Sequence, residues 1–233
     1  LNEKGKYFKE KTLPSYLALM DASTIFQENK LAGNIKIAAS KTISNYIMPN
    51  IYYDFLSKYK DVKLDILTIN SSSIIDKILK NELDIGLIEV DTQNSSLIKE
   101  KLADDELIVV SSDEKHPSIA FIDAIKKRWI LREIGSGTRE IFMSKIGEIS
   151  KELDIFMQLQ DFEEIKTIVL NNKNTVTVLS KVIVEKELKQ KKLFEIKLKN
   201  IEFKREFYLV YHKDKTKNLL FETFIEFIKN RLN

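Results

Sequence analysis

Twice along the chain, an apolar run turns through small polar residues into a segment with helical spacing and then returns to an apolar run. The first time, Ile35, Ile37 and Ala39 lead through Ser40-Lys41-Thr42 to a helix carrying Tyr46, Ile47, Ile51, Phe55, Leu56 and Tyr59, with Pro49 in its first turn. A strand over Asp61 to Ile69, the polar Asn70 to Ser73, a short helix with Ile74, Ile75, Ile78 and Leu79, and a strand over Leu83 to Ile88 follow. This alternation predicts a parallel sheet covered by helices on both faces.

From Trp129 the order begins again: strand, turn, helix, a strand over Phe156 to Gln160, helix, strand. Ile74 to Ile88 matches Ile165 to Leu179, each an apolar helix, an asparagine-bearing turn and an apolar strand. Asn172 and Asn174 stand where helix gives way to strand, and asparagine tolerates left-handed geometry. The reading is an α/β chain of two Rossmann-like lobes. Strands over Glu106 to Ser111, Phe194 to Leu198 and Glu206 to His212, then a last helix from Leu219 to Leu232, complete it. The polar Ser112 to Pro117 is read as the crossing between lobes. If the final strand and helix return to the first lobe, two strands join the lobes and a hinge follows. The expected division is 33–110 with 209–233 for the first lobe and 111–208 for the second.

Arg132-Glu133-Ile134-Gly135-Ser136-Gly137-Thr138-Arg139 joins a strand to a helix. A helix start leaves backbone N–H groups unpaired, and the helix dipole favours negative charge there. Ser136 and Thr138 add hydroxyls or cap the helix, and the glycines keep Cβ atoms out of the way. The alternative is a capped helix start and nothing more. In open α/β sheets ligands sit beyond the carboxyl ends of strands. Ser40-Lys41-Thr42, Asn70 to Ser73, Ser136-Gly137-Thr138 and Gln160-Asp161 are four such ends, with Lys41, Arg132 and Arg139 available to balance an anion.

Composition excludes several classes. Among 233 residues, 31% are charged with a net charge of +3, which gives no broad nucleic-acid surface. No cysteine means no disulfide framework, no thiolate metal site and no cysteine nucleophile, in keeping with a reducing, cytoplasmic setting. The two histidines stand apart, His116 read as a surface residue of a polar loop and His212 as structural, and no run spans a bilayer. Ser136 has no histidine partner in sequence, so no catalytic residue, cofactor or metal is expected. Residues 1–32 form a predicted helix with Phe8, Leu13, Tyr16, Leu17, Met20, Ile25 and Phe26 at helical intervals; Pro14 marks a break, a kink or a start just before it. That stripe buries either on its own domain or on another subunit.

The order of motifs resembles the effector-binding part of LysR-type transcriptional regulators. Leu1-Asn2-Glu3-Lys4-Gly5 is similar to the L-T-E-A-G that opens the family's linker helix, and Gly33-Asn34-Ile35-Lys36-Ile37 to the strand after it. Met48-Pro49 with Phe55, Leu83-Asp84-Ile85-Gly86-Leu87, and Arg132 to Arg139 match further motifs, the last resembling the R-E-P-G-S-G-T-R of one branch. Three departures stand out: Ile134 replaces the proline of that last motif, Asn172 and Asn174 replace glycines, and Ile43 sits beside the first-lobe hydroxyls.

The resemblance implies a type 2 periplasmic-binding-protein-like fold behind an N-terminal linker and dimerisation helix (1–32). It implies a small effector in the interlobe cleft, a homodimer or homotetramer, and promoter DNA read by a winged helix-turn-helix domain missing here. It places Ser40, Thr42 and Gln160 near the ligand with Ser136, Gly137 and Thr138; Lys41 is added on charge. Branch members sense sulfur oxyanions and phosphorylated metabolites, so the expected effector is a small anion: a sulfur oxyanion, phosphate or an organic acid. The alternative is a stand-alone solute-binding protein of a transporter.

Overall fold

The structure is a computed structural model that describes residues 2–24, 31–114, 118–119, 121–198 and 201–232. Ile25, Phe26 and His116 lie outside them. α1 (Glu3–Thr24) comes first; the elements of the first lobe are then β1 (Ala32–Ala39), a π-helical turn (Ile43–Ile47), α2 (Pro49–Lys58), β2 (Asp61–Thr68), α3 (Ser71–Leu79), β3 (Ile85–Ile88) and the start of β4 (Leu97–Ser111). Then come β5 (Ser118–Ile119), α4 (Phe121–Ile125), β6 (Arg128–Arg132), α5 (Gly137–Ile146), a 3-10 turn (Gly147–Glu152), β7 (Ile155–Leu159), α6 (Phe162–Asn171), β8 (Thr175–Ser180), α7 (Lys181–Lys189) and β9 (Phe194–Leu198). β10 (Phe203–His212) and α8 (Leu219–Leu232) close the chain.

The strands run in the order β2-β1-β3-β10-β4-β8-β6-β7, with β9 on β4 and β5 on β9. β1 pairs in parallel with β2 and β3, and β6 in parallel with β7 and β8, so each lobe has the parallel core that the alternation predicts. β4 and β10 belong to both lobes. Near its start β4 pairs with the end of β10, which in turn pairs with β3; further on it pairs with β8 and β9. The β10–β4 register shifts between Phe207 and Tyr208, and a bulge of this kind bends and twists a strand. Two strands crossing at one irregular point make the hinge. β4 is longer than the apolar run suggests: the charged Lys99 to Glu106 hides a strand that starts at Leu97, and residues 115–117 of the polar stretch after it lie outside the described residues.

The first lobe packs β1, β3 and β10 against α2 and α8, with Phe55 edge-on to Phe224 at 4.8 Å. α3 covers the opposite face through Ile74 and Ile78. In the second lobe Trp129 and Phe142 fill one side, Phe162, Ile165 and Val169 the other.

Three local expectations change. α1 runs through Pro14 without a break. The helix after Thr42 is split, because the chain first winds one π turn, Met48 N–H bonding the Ile43 carbonyl at 2.9 Å, and α2 starts only at Pro49. Asn172 is extended at φ −137°, its amide donating to the Ile168 carbonyl at 2.8 Å, and neither it nor Asn174 is left-handed; Asn81 in the first lobe is, at φ 56°. A side-chain bond to the last turn of α6 does there what positive φ does after α3. No helix among the described residues is long and apolar enough to cross a membrane.

Candidate functional site

β1 delivers Ser40 and Thr42 to the middle of the molecule, where both are buried. Ser40 N–H donates to the Leu87 carbonyl at 2.9 Å, which ties the end of β1 to β3. From the other lobe β6 ends at Arg132, Gly135 turns at φ +87°, and Ser136 takes the N-cap position of α5 with no capping bond from its hydroxyl. Gly137 and Thr138, in the first turn, are buried as well.

What stands between the two ends is a carboxylate. Glu89 follows the last residue of β3 and is 2% exposed. Ser40 Oγ donates to its Oε1 at 2.5 Å, and Thr138 Oγ1 lies 3.4 Å from its Oε2. Arg205 Nη1, from β10, donates to Oε2 at 2.6 Å and to Thr138 Oγ1 at 3.0 Å, while its Nε donates to Asp105 Oδ2 at 2.5 Å. Ser180 Oγ completes the chain with a 2.7 Å bond to Asp105. Burial works against the Glu89 charge, but Arg205, the Ser40 hydroxyl and Arg132 outweigh it and hold the carboxyl below the usual range. Thr42 Oγ1 is close enough to favour that ionised form, yet it makes no hydrogen bond of good geometry.

The glycines answer to the other lobe. A Cβ on Gly137 would stand 2.8 Å from Glu89 Cβ, and one on Gly135 3.2 Å from the Asn70 side-chain amide. They let the second lobe's turn close on β3 and α3 of the first. Ser72 Oγ then donates to the Gly135 carbonyl at 3.4 Å and to Glu140 at 3.3 Å. Asn70 is the N-cap of α3, accepting from Ser73 N–H at 2.9 Å.

Lys41 and Gln160 meet each other at the rim instead of joining the buried group: Lys41 Nζ donates to the Gln160 carbonyl at 2.6 Å. Beside them Tyr46, on the π turn, donates to Glu163 Oε1 at 2.8 Å and sets its ring edge-on to Phe162 at 6.0 Å. Burial and the Glu163 carboxylate push the Tyr46 phenol well up. π turns of this kind recur where a helix must aim a side chain. Arg132 is engaged by Glu133, with bonds of 2.8 and 3.1 Å, and stacks over Phe162; Arg139 bonds the Arg132 carbonyl and Gln158. Neither is a free cation for a ligand.

A cavity of about 570 Å³ opens against Glu89 and Arg205, walled by Val90, Glu140, Ile141 and Ser144 from both lobes. Sequence reasoning missed Glu89, Arg205, Asp105 and Tyr46. One charge after the apolar Ile85 to Ile88 run was the only sign of Glu89, and in a chain with 35 acidic residues it does not stand out.

Residues 28–233 match the family model described as the LysR substrate binding domain. The chain is 26% identical over 230 residues to the uncharacterized HTH-type transcriptional regulator YeiE of Escherichia coli (strain K12), covering 97% of this chain and 78% of that protein. It is 28% identical over 205 residues to the HTH-type transcriptional regulator CysL of Bacillus subtilis (strain 168), covering 85% and 67%. The fold is similar to that of the regulatory domain of Synechocystis PCC6803 CcmR in complex with 2-PG, with a TM-score of 0.75 and 21% identity over 86% of this chain and 98% of that one. YeiE and CysL are named as transcriptional regulators, which favours the regulator over the transporter component. Two lobes hinged on shared strands, a polar cleft between them and a family match over nearly the whole length lead to one conclusion: the chain belongs to the LysR substrate-binding domain family, the effector-binding part of LysR-type transcriptional regulators.

Proposed function

We propose that this chain senses a small anionic effector held between Ser40–Thr42 and Ser136–Thr138, and that lobe closure on the effector changes how subunits pair. The observation that carries it is that hydroxyls from both lobes, Ser40 and Thr138, already converge on one buried anion, the Glu89 carboxylate. The CcmR regulatory domain in complex with 2-PG supports a small guest in such a fold. Lys41 with Gln160, and Tyr46 with Glu163, serve as rim contacts that close over it. An effector shifts the lobes only by binding one arrangement more tightly than the other.

In this reading residues 33–110 with 209–233 and residues 111–208 are the two bodies, and the pairing of the end of β4 with β8 and β9 supports a lobe boundary close to that strand. Self-association has two supports. α1 leaves Tyr7, Phe8, Tyr16 and Leu19 exposed, and the outer strands β2 and β7 expose Ile66, Leu67 and Phe156. Unpaired edges with apolar side chains are places where a second copy docks. Promoter DNA is then read in the cytoplasm by a winged helix-turn-helix domain of the intact regulator. Thermal-shift screening and calorimetry with sulfite, sulfate, phosphate and organic acids test the reading. A saturable response weakened by Thr138→Val supports it; no response from any anion, with that variant equally silent, defeats it.

A further inference from the structure

The predicted anion site holds an anion of its own, and this limits which guest it can take. An ionised carboxylate only accepts hydrogen bonds. Glu89 accepts from Ser40, Thr138 and Arg205, while two buried donors beside it are short of an acceptor: Thr42 Oγ1, which faces the carboxylate without a hydrogen bond of good geometry, and Arg205 Nη2, which has no partner among the described residues. Buried donors without acceptors are costly, so the site is short of acceptor atoms. An oxyanion supplies them, and the first N–H groups of α5 favour its charge.

The charges around Glu89 do not welcome a fully ionised guest. Arg205 from β10 is shared between Glu89 and Asp105 of β4, and Arg132 of β6 is paired with Glu133. Among these ion-paired groups three carboxylates face two guanidiniums, the cavity wall adds Asp91, Asp104, Glu140 and Glu206 against Lys145 and Lys204, and Lys41 gives its ammonium to the Gln160 carbonyl at the rim. A guest with every oxygen deprotonated would set like charges side by side where water is scarce. A guest that keeps one O–H turns that clash into a short charge-assisted bond to Glu89.

Building on the anionic-effector reading, we propose that Glu89 makes the site selective for an oxyanion that retains a proton, such as hydrogen phosphate, a singly protonated phosphate monoester or hydrogensulfite, over one that carries none, such as sulfate. The guest accepts from Thr42 and the start of α5 and donates to Glu89. The proton stays on the guest.

Calorimetric titration of the whole chain near neutral pH with inorganic phosphate, sulfite and sulfate tests this. Wild type binds phosphate or sulfite at least about tenfold more tightly than sulfate, the scale of one hydrogen bond to a charged group. Glu89→Gln, whose amide can donate, brings sulfate level or ahead, and Glu89→Asp keeps the wild-type order. Circular dichroism establishes that each variant is folded, and the wild-type order stands as a test if one is not. Sulfate binding to wild type as tightly as the proton-bearing anions, or an order unmoved by Glu89→Gln, overturns the selectivity while leaving the anion reading in place. Silence from all three anions removes the selectivity, and silence from the organic acids as well removes the anion reading with it.

Discussion

Arg205 Nη1 donates to Glu89 Oε2 over 2.6 Å, and this bond joins the hinge strand β10 to the end of β3 in the first lobe. Both side chains are almost wholly buried, at 1% and 3% exposure. Buried ion pairs add little net stability against a well-packed apolar pair, but removing one partner strands the other charge. Glu89→Ala is therefore expected to cost about 3–5 kcal/mol. The double replacement Glu89→Leu with Arg205→Leu is expected to cost less than either single loss would suggest. Urea unfolding of Glu89→Ala, of the single variants Glu89→Leu and Arg205→Leu and of the double variant measures both, and a double cost equal to the sum of the two single leucine costs would show that the pair is not a unit.

The same carboxyl sets an acid limit. Its pKa in the folded chain lies below the ordinary 4.5, because Arg205, Ser40 and Arg132 outweigh the effect of burial. A group whose pKa is depressed on folding stabilises fully above its unfolded value and loses that contribution as pH falls through its folded value. Glu89 thus contributes at neutral pH and withdraws its contribution below 4.5. Unfolding midpoints followed from neutral pH down to about pH 3 should fall less steeply for Glu89→Gln than for the wild type.

Two glycines separate closure from folding. A Cβ on Gly86 would meet Ile74 Cγ2 at 2.5 Å and Val210 Cγ2 at 2.9 Å inside the first-lobe core, where nothing can yield. Gly86→Ala should cost about 1–3 kcal/mol by overpacking. On Gly137 the added atom meets Glu89 Cβ at 2.8 Å across the gap between lobes, which can part to relieve it. Gly137→Ala should leave the unfolding midpoint nearly unchanged and weaken anion binding about tenfold or more, the ligand having to force the lobes together. Parallel urea and calorimetric titrations distinguish the two outcomes.

Much of this architecture could be read from residues alone, for a physical reason. Strands buried on both faces are short and nearly continuous in apolar residues, as Ile85 to Ile88 and Val176 to Leu179 are, and the helices between them keep a buried stripe. The exceptions share a cause too. The first half of β4 carries Lys99, Glu100, Lys101, Asp104 and Asp105 because it crosses between bodies, where its side chains meet partners such as Glu206 and Arg205 instead of a core. Hydroxyls at strand ends could be read as candidates from the chain, because few roles call for Ser40, Thr42 and Thr138 in such places. Glu89 and Arg205 were not, since a charge is common in sequence and only the fold reveals that these two are buried against each other. Tyr46 has helical spacing in the chain, and only the π turn redirects it to Glu163.

The central claim is that a small anion enters between the lobes beside Glu89. Amide proton–nitrogen NMR spectra recorded during titration with inorganic phosphate test it most directly, because backbone N–H groups at the start of α5 would be the guest's donors. The account predicts that Gly137 and Thr138 shift first and saturably, together with Thr42 and Glu89, and that the strands about Phe207 and Tyr208 follow as the hinge adjusts. Shifts confined to lysine-bearing surface residues such as Lys63 and Lys192, with the amides of Thr42, Gly137 and Thr138 unmoved, would contradict it.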